Sequence, residues 1–434
     1  MKCRICGGKG LVEYLNLGEH PPSDAFLKRE QLDSERTFPL TVLYCTGCSL
    51  SQLSYVVPPE ELYWDDYPYE TGLNSDGVVH FRKMAQLLSN RFKPNYVVDI
   101  GSNDGTLLDG FECKTLGIEP VKEIAQKAKA KTINDFFNEN SCTEALIYNG
   151  KADVITATNV FAHVDNLHGF MLHVDRLLAD NGVFVVEAPY LPDMIESLAF
   201  DTIYHEHLSY LSIKPLIRLF REYGMEIFDV EHFDVHCGTM RYYIARRGNY
   251  RFTRAVRKYY EAEQEYHDIE RLYKFASAVW NTRLLIITTL RIMKDRGIRI
   301  VGVSAPAKGN TLLNYCEIDN KILDYITERS ERKIGKYTPG SRIKIYHDDT
   351  LIEQQPDVAV ILAHNWEDQI KNSLKDYRGR WMTLDEEGIE SVRRWAFGAS
   401  GFSGSEGVKE EGVQEHSGLS CRPDEQAQHM GDIP

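Results

Sequence analysis

The spacing of apolar positions along this chain changes repeatedly, and each change predicts an element. From Asn74 to Phe92 the pattern is helical, with Val78, Phe81, Met84 and Leu88 on one face. Tyr96–Ile100 reads as a buried strand, followed by a glycine-rich turn and the helix-like TLLDGF. Thr115–Glu119, Asp153–Ala157 and Val183–Glu187 predict further strands, with helices expected over Lys122–Ala130 and Leu167–Leu178. Strands alternating with helices imply an α/β fold, a parallel sheet covered on both faces. Glu226–Phe233 and Arg241–Arg246 read as a strand pair closing that sheet, and residues 251–297 as a charged region of two helices. A second α/β unit begins at Ile298 with strand IRIVGV, loop SAPAKGNT and helix LLNYC. It continues through strands LDYITE and DVAVIL and ends near Trp395. Residues 1–62 offer only short β-like runs (Leu11–Leu15, Thr41–Tyr44) and turn-rich EHPPSD, too little apolar material for a core without a metal. From Gly398 the chain is rich in Gly, Ser, Glu and Gln, which predicts disorder. The expected divisions are 1–73, 74–250, 251–397 and a tail at 398–434.

Composition narrows the class. The 434 residues are 43% hydrophobic and 26% charged, suited to two or three globular domains. A net charge of −14 argues against nucleic acid as a partner, since that surface must displace counterions. The longest apolar run, Leu284–Leu290, is short and flanked by arginines, so no membrane span is expected. MKCRICGGKG has no apolar run behind its lysine, and a cytoplasmic location is the expectation.

Four of the nine cysteines form two C-x-x-C pairs, Cys3/Cys6 and Cys45/Cys48, with 38 residues between. Four thiolates suit tetrahedral Zn²⁺, and glycines beside each pair (Gly7, Gly8, Gly47) suit the tight turns. A closed shell of four thiolates leaves no position for substrate, so the expected role is structural.

The segment VVDIGSNDGTLLDGF puts Asp99 at a strand end before a turn containing Gly101, Ser102, Asn103, Asp104 and Gly105. Such a turn lets backbone approach a nucleotide-like ligand, although the dinucleotide pattern G-x-G-x-x-G is absent. Glu119 ends the next strand, placed to accept hydrogen bonds from ribose hydroxyls, and ATNVFAHV, with Asn159 and Phe161, follows the third. Turn, spaced acid and third loop together point to S-adenosylmethionine. Downstream, Tyr204-His205-Glu206-His207 concentrates acid–base groups beyond a strand's carboxyl end, where α/β folds place ligands. It is not an H-E-x-x-H zinc motif. APAKGNT lacks the P-loop pattern, but Lys308 and amides at a helix start would suit a diphosphate, with Arg241, Asn310, Asn314 and Arg329 as further candidates.

Taken together, these segments resemble the sugar C-methyltransferases that act on nucleotide-linked deoxy-sugars, over roughly residues 3–395. The resemblance rests on the two cysteine pairs, DYPYETG (Asp66–Gly72), DIGSNDGTLL, NVFAHV, YHEHLSYLS, HCGTMR (His236–Arg241) and APAKGNTLLNYC. The family pattern H-G-G-S-L-R is HCGTMR here, a departure that would change the sugar contacts, and the resemblance implies that His236 binds the substrate. The resemblance implies a zinc-binding N-terminal domain, a Rossmann-like methyltransferase core and a second, C-terminal Rossmann-like domain. It also implies a nucleotide-sugar substrate whose 4-keto-deoxy-sugar is methylated, at C3, through an enolate. In that scheme His207 is the base and Glu206 its partner, either histidine of the motif being able to serve. Tyr204 and Tyr67 or Tyr69 would stabilise the enolate oxygen, His163 would lie near the reacting carbons, and His205 would contact the sugar. Methylation of another acceptor or a sugar oxygen, or an inactive zinc-containing binding protein, are the competing readings. Monomer and homodimer are both compatible with the sequence.

Overall fold

In the computed structural model, residues 1–62, 70–73, 75–233 and 238–397 are described. Three sheets organise the described residues. The central one has seven strands, in the spatial order Met225–Phe233, Thr239–Arg246, Leu178–Pro189, Ala152–Thr158, Tyr96–Ile100, Lys114–Ile118 and Thr132–Ile133. Its last five are parallel, while Thr239–Arg246 pairs antiparallel with both neighbours, the expected closing hairpin. The two faces explain the unbroken burial of Tyr96–Ile100. Val97 packs with Phe81, Met84 and Leu88 of the helix Ser75–Phe92, whereas Val98 and Ile100 pack with Phe170, Met171 and Val174 of the helix Leu167–Leu177. From Tyr96–Ile100 the chain first builds outward to one side, then crosses to the other. That reversal opens a crevice at the strands' carboxyl ends, where open α/β sheets bind ligands.

The second α/β unit is a five-stranded parallel sheet, in the order Ile345–His347, Ile326–Glu328, Ile300–Val303, Val358–Ile361, Arg380–Met382. Two helices precede it, Arg254–Ala262 and the 27-residue Ile269–Asp295. Fully buried Glu263, between them, accepts hydrogen bonds from Tyr190 Oη and the amides of Ile213 and Lys214, tying the linker to the core.

The N-terminal sheet is antiparallel: Leu11–His20, Phe38–Cys45, Ser51–Leu53 and, as fourth strand, Ser209–Tyr210 from the central unit. That last strand begins two residues after His207. One apolar core joins Leu15, Leu40 and Val42 of this sheet to Ile203 and Leu208, the long helix and the second α/β unit. The Tyr204–His207 segment is thus held among all three parts.

Several elements differ from the sequence reading. The helix expected over Lys122–Ala130 closes after Ala125, and TLLDGF forms only a 3-10 turn at Leu108–Gly110. The helix after Ile300–Val303 begins at Ala307, so Lys308 sits in its first turn rather than in a loop. The helix Glu139–Asn149 and strands Ile345–His347 and Arg380–Met382 were not anticipated; the strands are three residues long, too short to carry a period. The tail expected to be disordered lies outside the described residues. Among those described, no helix is long and apolar enough to cross a membrane.

Candidate active site and metal centre

The glycine-rich turn is shaped by left-handed backbone at Gly101 (φ +69°), Asn103 (φ +51°) and Gly105 (φ +81°). Only glycine fits at 101: a Cβ there would come within 2.3 Å of Val160 Cγ2. Glu119 braces the turn, its Oε2 accepting from Asn103 N (3.0 Å) and its Oε1 from Val121 N (2.9 Å). Each oxygen keeps a second lone-pair direction, and the carboxylate borders the cavity. Asp99 lies deeper, receives Thr156 Oγ1 at 2.6 Å and is pushed up to about 7, mainly by burial. Asn103 and Asp104 also dock the segment just before the helix Ser75–Phe92: Thr71 N donates to Asn103 Oδ1 (2.9 Å) and Gly72 N to Asp104 Oδ2 (2.6 Å).

A cavity of about 820 Å³ begins at this turn. Its walls include Gly101, Ser102, Glu119, Val121, Asn159 and the aromatic pair Phe136 and Phe137. It runs past His163, Tyr204, Glu206 and His207 to Lys308 and Lys333 of the second α/β unit and Asp24 of the N-terminal unit. S-adenosylmethionine fits the first part: a glycine cradle, a buried acid at a strand end and an aromatic wall suit a nucleoside.

At the centre, the ring of His207 lies 4.0 Å from that of Tyr204 and 5.1 Å from that of His163. His207 Nδ1 donates to Thr202 O at 2.6 Å, which makes Nε2 the basic nitrogen of the neutral ring. Burial pushes His163 down to about 4, keeping it neutral. Glu206 corrects an expectation. A backbone carbonyl, not this carboxylate, orients His207. Burial and the nearby Asp24 push Glu206 up to about 8, which favours its neutral form, and among the described residues nothing hydrogen-bonds its Oε2. Asp24 is itself raised by burial and restrained by Lys333.

Other expected contacts are placed elsewhere. His205 faces away from the cavity, buried edge-on against Phe38, with Nε2 3.3 Å from the Phe38 carbonyl. Phe161 is a core residue among Phe170, Phe184 and Phe220; the 3-10 turn at Phe161–His163 buries Phe161 and Ala162 together and leaves His163 to border the cavity. Arg241 is buried in an ion cluster, 2.7 Å from Glu187 and 3.2 Å from Glu231; His80 also reaches Glu187, at 2.6 Å. Asn310 donates to Ser23 O (2.7 Å) and Asn314 to Asn310 O and Pro339 O, both structural ties. Exposed Arg329 pairs at 3.1 Å with the buried Asp348. Of the proposed diphosphate contacts, only Lys308 borders the cavity. Tyr67, Tyr69 and His236 lie outside the described residues, although Glu70 and Thr71, which follow the tyrosines, line the cavity. Asp24, Lys333, Phe136 and Phe137 were missed. The half-exposed Phe136 beside Phe137 was the one readable signal, two large aromatics in an otherwise polar stretch.

Cys3, Cys6, Cys45 and Cys48 converge, all four sulfurs within 4.8 Å of one another, with Cys3–Cys48 at 3.4 Å and Cys6–Cys45 at 3.5 Å. Tetrahedral Zn²⁺ with bonds of about 2.3 Å would set sulfurs about 3.8 Å apart. The site fits a closed structural zinc.

Three family models match successive stretches: a zinc binding domain (3–63), a methyltransferase domain (78–230) and a C-methyltransferase C-terminal domain (234–384). The C-methyltransferase NovU of Streptomyces niveus is 30% identical over 389 residues, 87% of this chain and 92% of its own length. Similar solved structures include an S-adenosylmethionine-dependent methyltransferase from Clostridium acetobutylicum (12% identity, 39% of this chain and 92% of that one, TM-score 0.32). Another is the magnesium protoporphyrin IX methyltransferase of Synechocystis PCC 6803 (11% identity, 39% and 82%, TM-score 0.30).

Proposed function

The chain belongs to the C-methyltransferase family, and on that premise we propose that it methylates a carbon, C3, of a nucleotide-linked 4-keto-deoxy-sugar. The observation that carries this reading is the single cavity joining the glycine turn, the Tyr204–His207 cluster and the two lysines. S-adenosylmethionine, bound against Gly101, Glu119 and Phe137, supplies the electrophilic methyl group. Lys308, in the first turn of Ala307–Tyr315, and Lys333 hold the diphosphate, helped by the positive end of that helix.

The sugar ketone then lies beside Glu206, Tyr204 and His207. His207 Nε2 removes the proton next to the carbonyl, and its Nδ1–H on Thr202 O keeps the ring oriented as charge develops. The neutral Glu206 carboxyl and the Tyr204 hydroxyl donate to the oxygen that becomes the enolate. Burial of His163 keeps it uncharged beside the reacting carbon, so it does not repel the sulfonium. A panel of dTDP-, UDP-, GDP- and CDP-linked keto-sugars, incubated with S-adenosylmethionine and read by mass spectrometry, tests the proposal. At least one member should gain a methyl group and, without donor, exchange the proton beside its ketone for deuterium. His207→Asn should abolish that exchange while leaving S-adenosylhomocysteine binding intact. Methylation with no exchange in any sugar would favour an oxygen acceptor.

A further inference from the structure

Between the two cysteines of the first knuckle stands Arg4, its side chain only 4% exposed. Its Nη1 donates to two carbonyls, Leu53 O at 3.0 Å and Leu208 O at 3.2 Å, while Nε donates to Asp165 Oδ1 at 3.0 Å. The backbone is pinned as well: Arg4 N donates to Gln52 Oε1 at 2.9 Å, and the next carbonyl, Ile5 O, lies 2.7 Å from His168 Nε2. Leu208 follows His207 directly, and Asp165 comes two residues after His163. One guanidinium therefore grips both loops that carry the two neighbouring imidazoles, whose centroids lie 5.1 Å apart.

A buried guanidinium is an expensive way to gain stability. Its one carboxylate partner is 58% exposed, and apolar replacements at such sites are often neutral or stabilising. What the planar fork offers is fixed geometry toward three acceptors at once. Four thiolates around a metal would fix the backbone on either side of it. We propose that Arg4 is a positioning residue for methyl transfer, carrying the rigidity of the metal-bound knuckle to His163 and His207 and setting the distance between them.

The functional half of this rests on His207 as the base, so the test reads position separately from turnover. Full-length Arg4→Gln and Arg4→Lys are compared with wild type for zinc content, S-adenosylhomocysteine affinity and hydrogen exchange by mass spectrometry. For Arg4→Gln, zinc should stay at about one per chain and S-adenosylhomocysteine affinity should hold. Peptides covering residues 161–168 and 203–211 should exchange about ten-fold faster. With a keto-sugar identified, kcat should fall about 10²-fold, the effect of misplacing a catalytic group by about 1 Å. Arg4→Lys should recover part of both. Faster exchange confined to residues 1–10 and 50–54 would overturn the proposal, leaving Arg4 as a local brace of the knuckle. Normal kcat despite loosened loops would overturn the coupling to catalysis. Should Arg4→Gln fail to fold, Asp165→Ala cuts the grip from the exposed side; unchanged exchange over 161–168 would then count against it.

Discussion

Glu206→Gln separates a neutral acid from a carboxylate at the centre of the site. Burial and Asp24 raise Glu206 from its ordinary value of 4.5 to about 8. Between those values the unfolded chain has released a proton that the folded protein keeps, so stability falls as pH rises, by about 1.4 kcal/mol per pH unit. From pH 5 to pH 8 the loss is about 4 kcal/mol. Glutamine has the shape of the protonated acid and does not titrate. Relative to wild type, Glu206→Gln should therefore gain stability as pH rises. Unfolding entropy of about 2 cal/mol/K per residue over this chain converts the difference to about 4–5 °C. Thermal unfolding of both proteins from pH 5 to pH 8 at fixed ionic strength measures it, and other titrations cancel in the difference. Activity should follow the same logic: Glu206→Gln active at pH 7 without wild type's decline toward pH 9, Glu206→Ala nearly inactive. A melting-temperature difference independent of pH, or an inactive Glu206→Gln with intact donor binding, would refute the neutral-acid assignment.

Four further outcomes are expected. His207→Asn should lower kcat by about 10²–10⁴-fold, the range for general-base catalysis, with S-adenosylhomocysteine affinity unchanged by calorimetry. Glu119→Ala should weaken S-adenosylhomocysteine by about 10–100-fold, the loss of charge-assisted hydrogen bonds plus the brace on Asn103. Gly101→Ala should lower the melting temperature and abolish donor binding, since φ of +69° and Val160 both oppose a Cβ. Chelation should remove about one zinc per chain and open residues 1–62 together with 203–211 to hydrogen exchange, because Ser51–Leu53 and Ser209–Tyr210 share a sheet.

The sequence made the α/β order of the chain legible because buried parallel strands are long apolar runs bounded by turns, as at Tyr96–Ile100. It also exposed the cysteine pairs, the glycine turn and Glu119, whose chemistry depends on local spacing. What it hid depends on distant pairing. Ser209–Tyr210 is a strand only because Ser51–Leu53 lies beside it. Asp24 reads as a turn residue in EHPPSD, and nothing local brings it to Glu206. Arg241 reads equally well as a phosphate ligand or an ion-pair partner; only the fold, setting it on a strand beside Glu187, decides. Glu206 beside His207 suggested a partnership that the turn geometry gives to Thr202 O instead.

The proposed reaction forms a bond from the methyl group to the carbon next to a ketone. Carbon-13-labelled methyl from S-adenosylmethionine, followed by carbon NMR of the product from any keto-sugar the protein accepts, tests it most directly. A label bonded to the carbon beside the ketone, formed by wild type and not by His207→Asn, is the predicted result. A label in the methoxy region would contradict the account.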